Sequence, residues 1–179
     1  RENRSLTWSI SCCFCVEQDR VHDPAPDDTR DERTADIGRC PQLVTAPPDY
    51  ALYTQASRRF IALLRSFTPL VEQYSIDEAW ADMTGTERLY GSPVLAARTI
   101  KQQIREQLGF TVNIGISSNK LLAKIAGDFE KPDRVHTLFP AEIPEKLWPL
   151  PVRGLFLVGQ AAEEKLRHLG IRTIGALAK

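Results

Sequence analysis

The sequence is poor in cysteine, carries no net charge and has no long apolar run. Each shortage removes a class of function. Four cysteines occur in 179 residues. Three sit together in "SCCFC" (11–15), and the fourth is Cys40. A chain of this length needs no disulfide staples, and a clustered triplet with one distant partner lacks the paired spacing of a zinc site. These thiols read as incidental residues of a reducing compartment. Lys plus Arg equal Asp plus Glu at 23 each, which excludes a uniformly basic or acidic surface as the basis of binding. No segment reaches the roughly 20 apolar residues of a membrane span. Residues 5–16, "SLTWSISCCFCV", follow two arginines as a secretory signal would. The run is short and broken by serines, and no small-residue cleavage site precedes the charged stretch. A soluble, cytoplasmic protein with no membrane partner is expected. The first residue is Arg rather than Met, so a fragment is expected.

What is present is unevenly spread. Residues 17–36 hold eight acids against three arginines, whereas residues 146–179 hold six bases against Glu163 and Glu164. The C-terminal end is the better place for a phosphate backbone. "VEQDRVHDPAPDDTRDERTAD" has little apolar content, no period and dense charge with proline, a composition that favours disorder. A boundary is placed near residue 38.

Regular patterns follow it. In 49–68, Leu52, Ala56, Phe60 and Leu63–Leu64 recur at helical spacing. "VEQYSIDEAWADMTG" (71–85) reads as two short strands meeting at a turn. "SPVLAARTIKQQIREQLG" opens with Ser92 as N-cap and Pro93 at the first helical position. Its core face is Ala97, Ile100, Ile104 and Leu108, and Gly109 closes it. "FTVNIGISS" alternates, with Val112, Ile114 and Ile116 on one side, as a strand does. "NKLLAKIAGDFEKP" reads as a helix capped by Asn119. Leu121, Leu122, Ile125 and Phe129 face the core, and Pro132 ends it. The fold class expected is α+β, a mainly antiparallel sheet with helices on one face. Residues 151–179, punctuated by glycines, add a small helical subdomain.

Asp77 and Glu78 stand side by side in the strand-like run, with Asp82 close behind. Adjacent strand residues point to opposite faces, so the two acids meet only where the backbone turns. Carboxylates at one locus repel unless a cation neutralises them, and Mg²⁺ favours one or two carboxylates together with substrate phosphates. Lys120, Lys124 and Lys131 fall on one face at helical spacing, where ammonium groups screen a triphosphate. Val158–Gly159, at a tight turn before a helix, offers backbone N–H groups to a phosphate without reading sequence. Taken singly, each feature has a plainer meaning. Paired acids are more often a solvated hairpin, a lysine row is more often a wet helix face, and glycines are more often caps.

Together, "CPQLVTAPPDYALYTQASRRF", "VEQYSIDEAWADMTG", "NIGISSNKLLAKIAGDFEKP" and "LPVRGLFLVGQAAEEKLRHLGIRTIGALA" resemble a Y-family translesion DNA polymerase of the bacterial DNA polymerase IV type. The resemblance runs from about residue 38 to the end. It implies a palm over 38–145, with the end of the fingers at 38–48, and a thumb with a helix-hairpin-helix-like element over 146–179. It implies that Asp77 and Glu78 are metal ligands and catalytic carboxylates of a two-Mg²⁺ site, the metals about 3.5–4 Å apart. It assigns Lys131, and less directly Lys124, to the dNTP triphosphate, and Val158, Gly159 and Lys165 to DNA. The reaction implied is attack of a primer 3′-hydroxyl on the α-phosphate of a dNTP, in translesion repair synthesis. Primer–template DNA, dNTP and a sliding clamp are the partners implied.

The sequence also departs from that family. The first strand with its aspartate, the paired aromatics of the sugar gate, most of the fingers and the little finger have no match. Leu157 stands where the hairpin usually has glycine, and Ala81 replaces a larger apolar residue. Residues 1–37 are therefore expected to be disordered or non-native, in a truncated or frame-disrupted polymerase. The alternative is a non-catalytic DNA-binding or interaction protein on a degenerate palm.

Overall fold

Two long helices form where apolar spacing and capping residues place them. The computed structural model describes the backbone of residues 7–13 and, with side chains, residues 47–179. Helix α1 is Tyr50–Phe67, and the Asp49 side chain accepts from the Leu52 amide at 2.9 Å. Phe60, Leu63, Leu64 and Phe67 are buried, but Leu52 is exposed because burial begins only at Ser57. Strands β2 (Val71–Gln73) and β3 (Glu78–Asp82) make the expected pair, and a short helix α2 (Glu87–Tyr90) follows. Helix α3 is Pro93–Leu108, opened by Ser92 and closed by Gly109 in the left-handed conformation. Strand β4 is Thr111–Ser117, helix α4 is Lys120–Gly127 and strand β5 is Val135–Thr137. Three shorter helices complete the chain, α5 (Ile143–Lys146), α6 (Gln160–His168) and α7 (Ile174–Leu177).

The sheet corrects one expectation. Its order is β2-β3-β1-β4-β5, and the central strand β1 is Thr7–Cys13. This stretch falls within the segment read as disordered or non-native. The charge density that favours disorder begins only at Glu17, and "TWSISCC" has the short apolar and β-branched content of a strand. The rest of 1–37, and the fingers remnant up to residue 46, lie outside the described residues. β1 pairs antiparallel with both neighbours, setting Ser11 opposite Glu78 on one side and opposite Asn113 on the other. Only β4–β5 is parallel. The sheet is mainly antiparallel in an α+β fold, as the patterns predict.

Alternation along β3 and β4 sorts the two faces. Ala79, Ala81, Val112, Ile114 and Ile116 point into a core with Phe60, Leu64, Ile100 and Ile104 of α1 and α3. Helix α4 lies on the opposite face, so the one-face arrangement holds for the two long helices and not for this one. A Cβ at Gly115 would come 1.9 Å from the Ala123 carbonyl oxygen and 2.3 Å from the Gly127 amide. Glycine is what lets the helix sit directly on the strand. Helix α4 also stops at Gly127, five residues short of Pro132. The chain must return to start β5 alongside the middle of β4, and the length of β4 limits the crossover helix. The helical C-terminal elements pack on the outside of α4, where Leu122, Ile125 and Ala126 meet Leu138, Leu147 and Ile174.

Candidate active site: paired carboxylates under a buried lysine

The β2–β3 turn builds the acidic end of the site. The amides of Tyr74 and Ser75 both donate to the Glu78 carbonyl, at 2.9 and 3.2 Å. Ser75 Oγ donates to Asp77 Oδ1 at 2.6 Å and accepts from the Asp77 amide at 3.3 Å. Asp77 is therefore a turn residue, and Glu78 opens β3 immediately after it. The backbone turn needed to bring adjacent acids to one locus is present. Asp82 is used differently, because its Oδ1 accepts from the Thr84 amide and hydroxyl at 2.9 and 2.6 Å and closes the next turn.

Glu78 and Trp80 alternate with the core residues Ala79 and Ala81, so they face α4. Trp80 Nε1 donates to the Lys120 carbonyl at 3.2 Å, which fixes the helix start over the strand. Lys124, one turn on, reaches down to Glu78, with Nζ 2.7 Å from Oε1. The same ammonium lies 3.1 Å from Asp128 Oδ2, and Lys131 Nζ is 2.7 Å from Asp128 Oδ1. The four groups alternate in sign as Glu78, Lys124, Asp128 and Lys131. Lys124 is only 7% exposed. Burial alone would depress its pKa, but the hydrogen bond to Glu78 and the charges of Asp128 and Glu78 outweigh that and hold it above the ordinary value of 10.5.

This replaces the solvated lysine row. Lys120 pairs with Glu72 and lies over the Trp80 ring, Lys124 is buried, and Lys131 lies beyond the end of α4. Periodicity assumed a longer helix and an outward face. Ser75 and Asp128 had no place in the sequence reading. For Asp128 a signal existed, since it stands four residues after Lys124, the spacing of a helical ion pair.

The C-terminal hairpin lies beside the site. Phe156 packs edge-on to Tyr74 at 6.0 Å and stands 5.9 Å from Lys124 Nζ. Leu157 adopts φ +70 and is 82% exposed, so a leucine carries a conformation that favours glycine. Val158 is half-buried. Gly159 is exposed at the N-cap of α6 and Lys165 is exposed in its last turn. A groove of about 530 Å³ runs between Asp128 and this hairpin. The structure thus links Glu78, Lys124 and Lys131 through Asp128, with Asp77 in the turn before Glu78 and Val158 and Gly159 on the neighbouring hairpin.

Adjacent carboxylates at a turn suit one hard divalent cation that keeps its waters or takes substrate phosphates. Among the described residues no three of His, Cys, Asp or Glu gather as metal ligands. The strand set opposite Glu78 reads "TWSISCC", without an acid.

Comparison with known proteins gives these features a context. Residues 32–128 match the impB/mucB/samB family and residues 140–171 match the IMS family HHH motif. DNA polymerase IV of Moorella thermoacetica is 50% identical over 141 residues, 79% of this chain and 35% of that protein. The chain thus spans about a third of the length of the curated relatives it matches. The crystal structure of DinB from Sulfolobus solfataricus superposes with a TM-score of 0.72 at 30% identity, covering 82% of this chain and 44% of that one. An insertion ternary complex of Dbh DNA polymerase superposes at 0.79 with 23% identity, covering 97% of this chain and 60% of that one, a likeness of fold alone.

Proposed function

Because the chain belongs to the impB/mucB/samB family of Y-family, DinB-like polymerases, we propose that it forms the palm and thumb of a template-directed DNA polymerase of the translesion class. The observation that carries this reading is the Asp77–Glu78 turn facing a lysine-bearing helix, within a stretch half identical to a DNA polymerase IV. The proposed substrates are primer–template DNA and a dNTP. The proposed reaction joins the primer 3′-hydroxyl to the α-phosphate with loss of pyrophosphate.

Each residue has a task in this reading. Asp77 and Glu78 hold Mg²⁺ through carboxylate oxygens, and Ser75 keeps Asp77 oriented. When bound, the ion polarises a phosphoryl oxygen and neutralises developing charge. Lys131, which among the described residues pairs with the partly exposed Asp128, is the cation nearest to hand for the triphosphate tail. The backbone at Val158 and Gly159, with Lys165, grips the DNA phosphates without reading bases. A sliding clamp belongs to the proposal only as a partner of the whole polymerase. The absence of an acid in "TWSISCC" favours a second reading, a DNA-binding palm that does not catalyse.

One experiment separates the two. Primer extension and primer–template anisotropy are measured for the chain and for an Asp77→Ala, Glu78→Ala double variant. Extension by the parent that the double variant loses supports the polymerase. DNA binding by both with extension by neither supports the non-catalytic palm. Failure of the folded chain to bind primer–template sinks both.

A further inference from the structure

We propose that Lys124 is the resident counter-cation of Glu78, and that a divalent cation enters the site only by displacing it. The inference rests on the reading above that Asp77 and Glu78 receive such a cation. Three observations carry it. Lys124 Nζ already sits 2.7 Å from Glu78 Oε1, one of the two carboxylate oxygens that this residue can offer a cation. The lysine cannot drift away with its helix, because Gly115 brings α4 into backbone contact with β4 and Trp80 pins the first turn. It also has somewhere to go. Asp128, the more exposed of its two carboxylate partners, already lies 3.1 Å from the same ammonium.

The competition follows from charge. An ammonium and a divalent ion seek the same lone pairs, and at a few ångströms in a partly buried site they repel strongly. Exposed lysines yield at small cost because water takes over their charge. Lys124 is buried against the Phe156 ring and is held by two acids, so its release costs affinity. Transfer to Asp128 alone leaves it paired.

The test is a Mn²⁺ titration of the full chain, following the electron paramagnetic resonance of free Mn²⁺. Lys124→Met, Glu78→Gln and the parent are compared, with circular dichroism confirming each fold. Lys124→Met is expected to tighten Mn²⁺ at least about tenfold, the scale set by removing one like charge at close range. Glu78→Gln is expected to weaken it. Equal or weaker binding by Lys124→Met overturns the competition while leaving the metal site standing. No binding by parent or variant overturns the metal reading itself, and the inference with it. Should Lys124→Met not fold, the unaltered chain decides. With ¹⁵N-lysine labelling, the Lys124 ammonium signal is expected to shift as Mg²⁺ perturbs the Asp77 amide. A Lys124 signal that stays fixed while the Asp77 amide moves overturns the proposal.

Discussion

The two faces of the sheet are built on opposite principles from the same strands. On one face Ala79, Ala81, Val112, Ile114 and Ile116 meet α1 and α3 in an apolar core without a charged member. On the other, Glu78 and Trp80 meet a single helix whose buried residues include Lys124. Asn113 belongs to this polar row too. Its Oδ1 accepts from the Arg134 amide at 3.0 Å, and its Nδ2 is buried without a partner among the described residues. The difference explains how a strand can carry acids on one side without dissolving its core. A two-residue period gives every second position to packing and leaves the rest for chemistry. Folding stability then resides chiefly on the first face, and the proposed ion site on the second.

The sharpest way to break this separation is to damage the apolar face alone. Ile114 is fully buried, and Ile114→Ala leaves a cavity between β4 and the two long helices. The expected loss is about 3–4 kcal/mol in a urea unfolding titration, near the upper part of the range for such truncations. Mn²⁺ affinity of the folded variant should stay within about twofold of the parent's, since no group facing α4 changes. A large loss of affinity would mean that the faces are coupled through the strand.

The neighbouring residue asks the reverse question. Gly115→Ala adds one methyl toward α4, against backbone atoms of Ala123 and Gly127 that have no rotamer to yield. The expected cost is about 2–3 kcal/mol, in the range for overpacking. Here divalent affinity should change as well, because lifting α4 separates Lys124 from Glu78. Together, the adjacent variants discriminate by face: one lowers stability alone, the other stability and the ion site. Matching behaviour in both would remove the distinction.

The apolar face was legible in the sequence and the polar face only in part. Ala97, Ile100 and Ile104, with Val112, Ile114 and Ile116, follow simple periods, and their burial follows. The caps Asp49, Ser92, Asn119 and Thr173 all accept from helix amides as their residue types favour. The paired acids and the turn that joins them were legible too. Lys124 was named as a triphosphate contact, but its burial against Glu78 was not legible, because a lysine in an amphipathic helix reads as solvated unless its partner strand is known. β1 was missed since its few apolar and β-branched residues run straight into the charged stretch from Glu17, and its neighbours come from residues some seventy and a hundred positions on. Local pattern carries no information on such pairings.

The smallest effect expected on the polar face is a pH dependence at its edge. His136 on β5 stands beside Gly115 in the parallel register and packs edge-on to Phe129, just past the end of α4. Its Nε2 is buried without a hydrogen-bond partner among the described residues. Burial disfavours the imidazolium, Glu130 partly offsets this, and Lys146 and Arg134 add to it, so the pKa lies below the ordinary 6.5. The unfolded chain therefore takes up its proton first as the pH falls. The stabilisation from a neutral His136 is complete above about pH 6.5 and is lost as pH falls through the lowered folded value. Glu142, whose carboxylate is held below its ordinary 4.5 against burial by Lys146 and the Phe139 amide, acts in a lower window. Its contribution is present above 4.5 and disappears as pH falls through its own folded value. Chemical unfolding of the parent and of His136→Leu across pH 3 to 8 checks this. The variant should flatten the slope below 6.5 and leave the acid limb of Glu142 intact. A parent curve already flat below 6.5 would place His136 in contact with water, and the polar face would then end at Phe129 rather than reach the sheet edge.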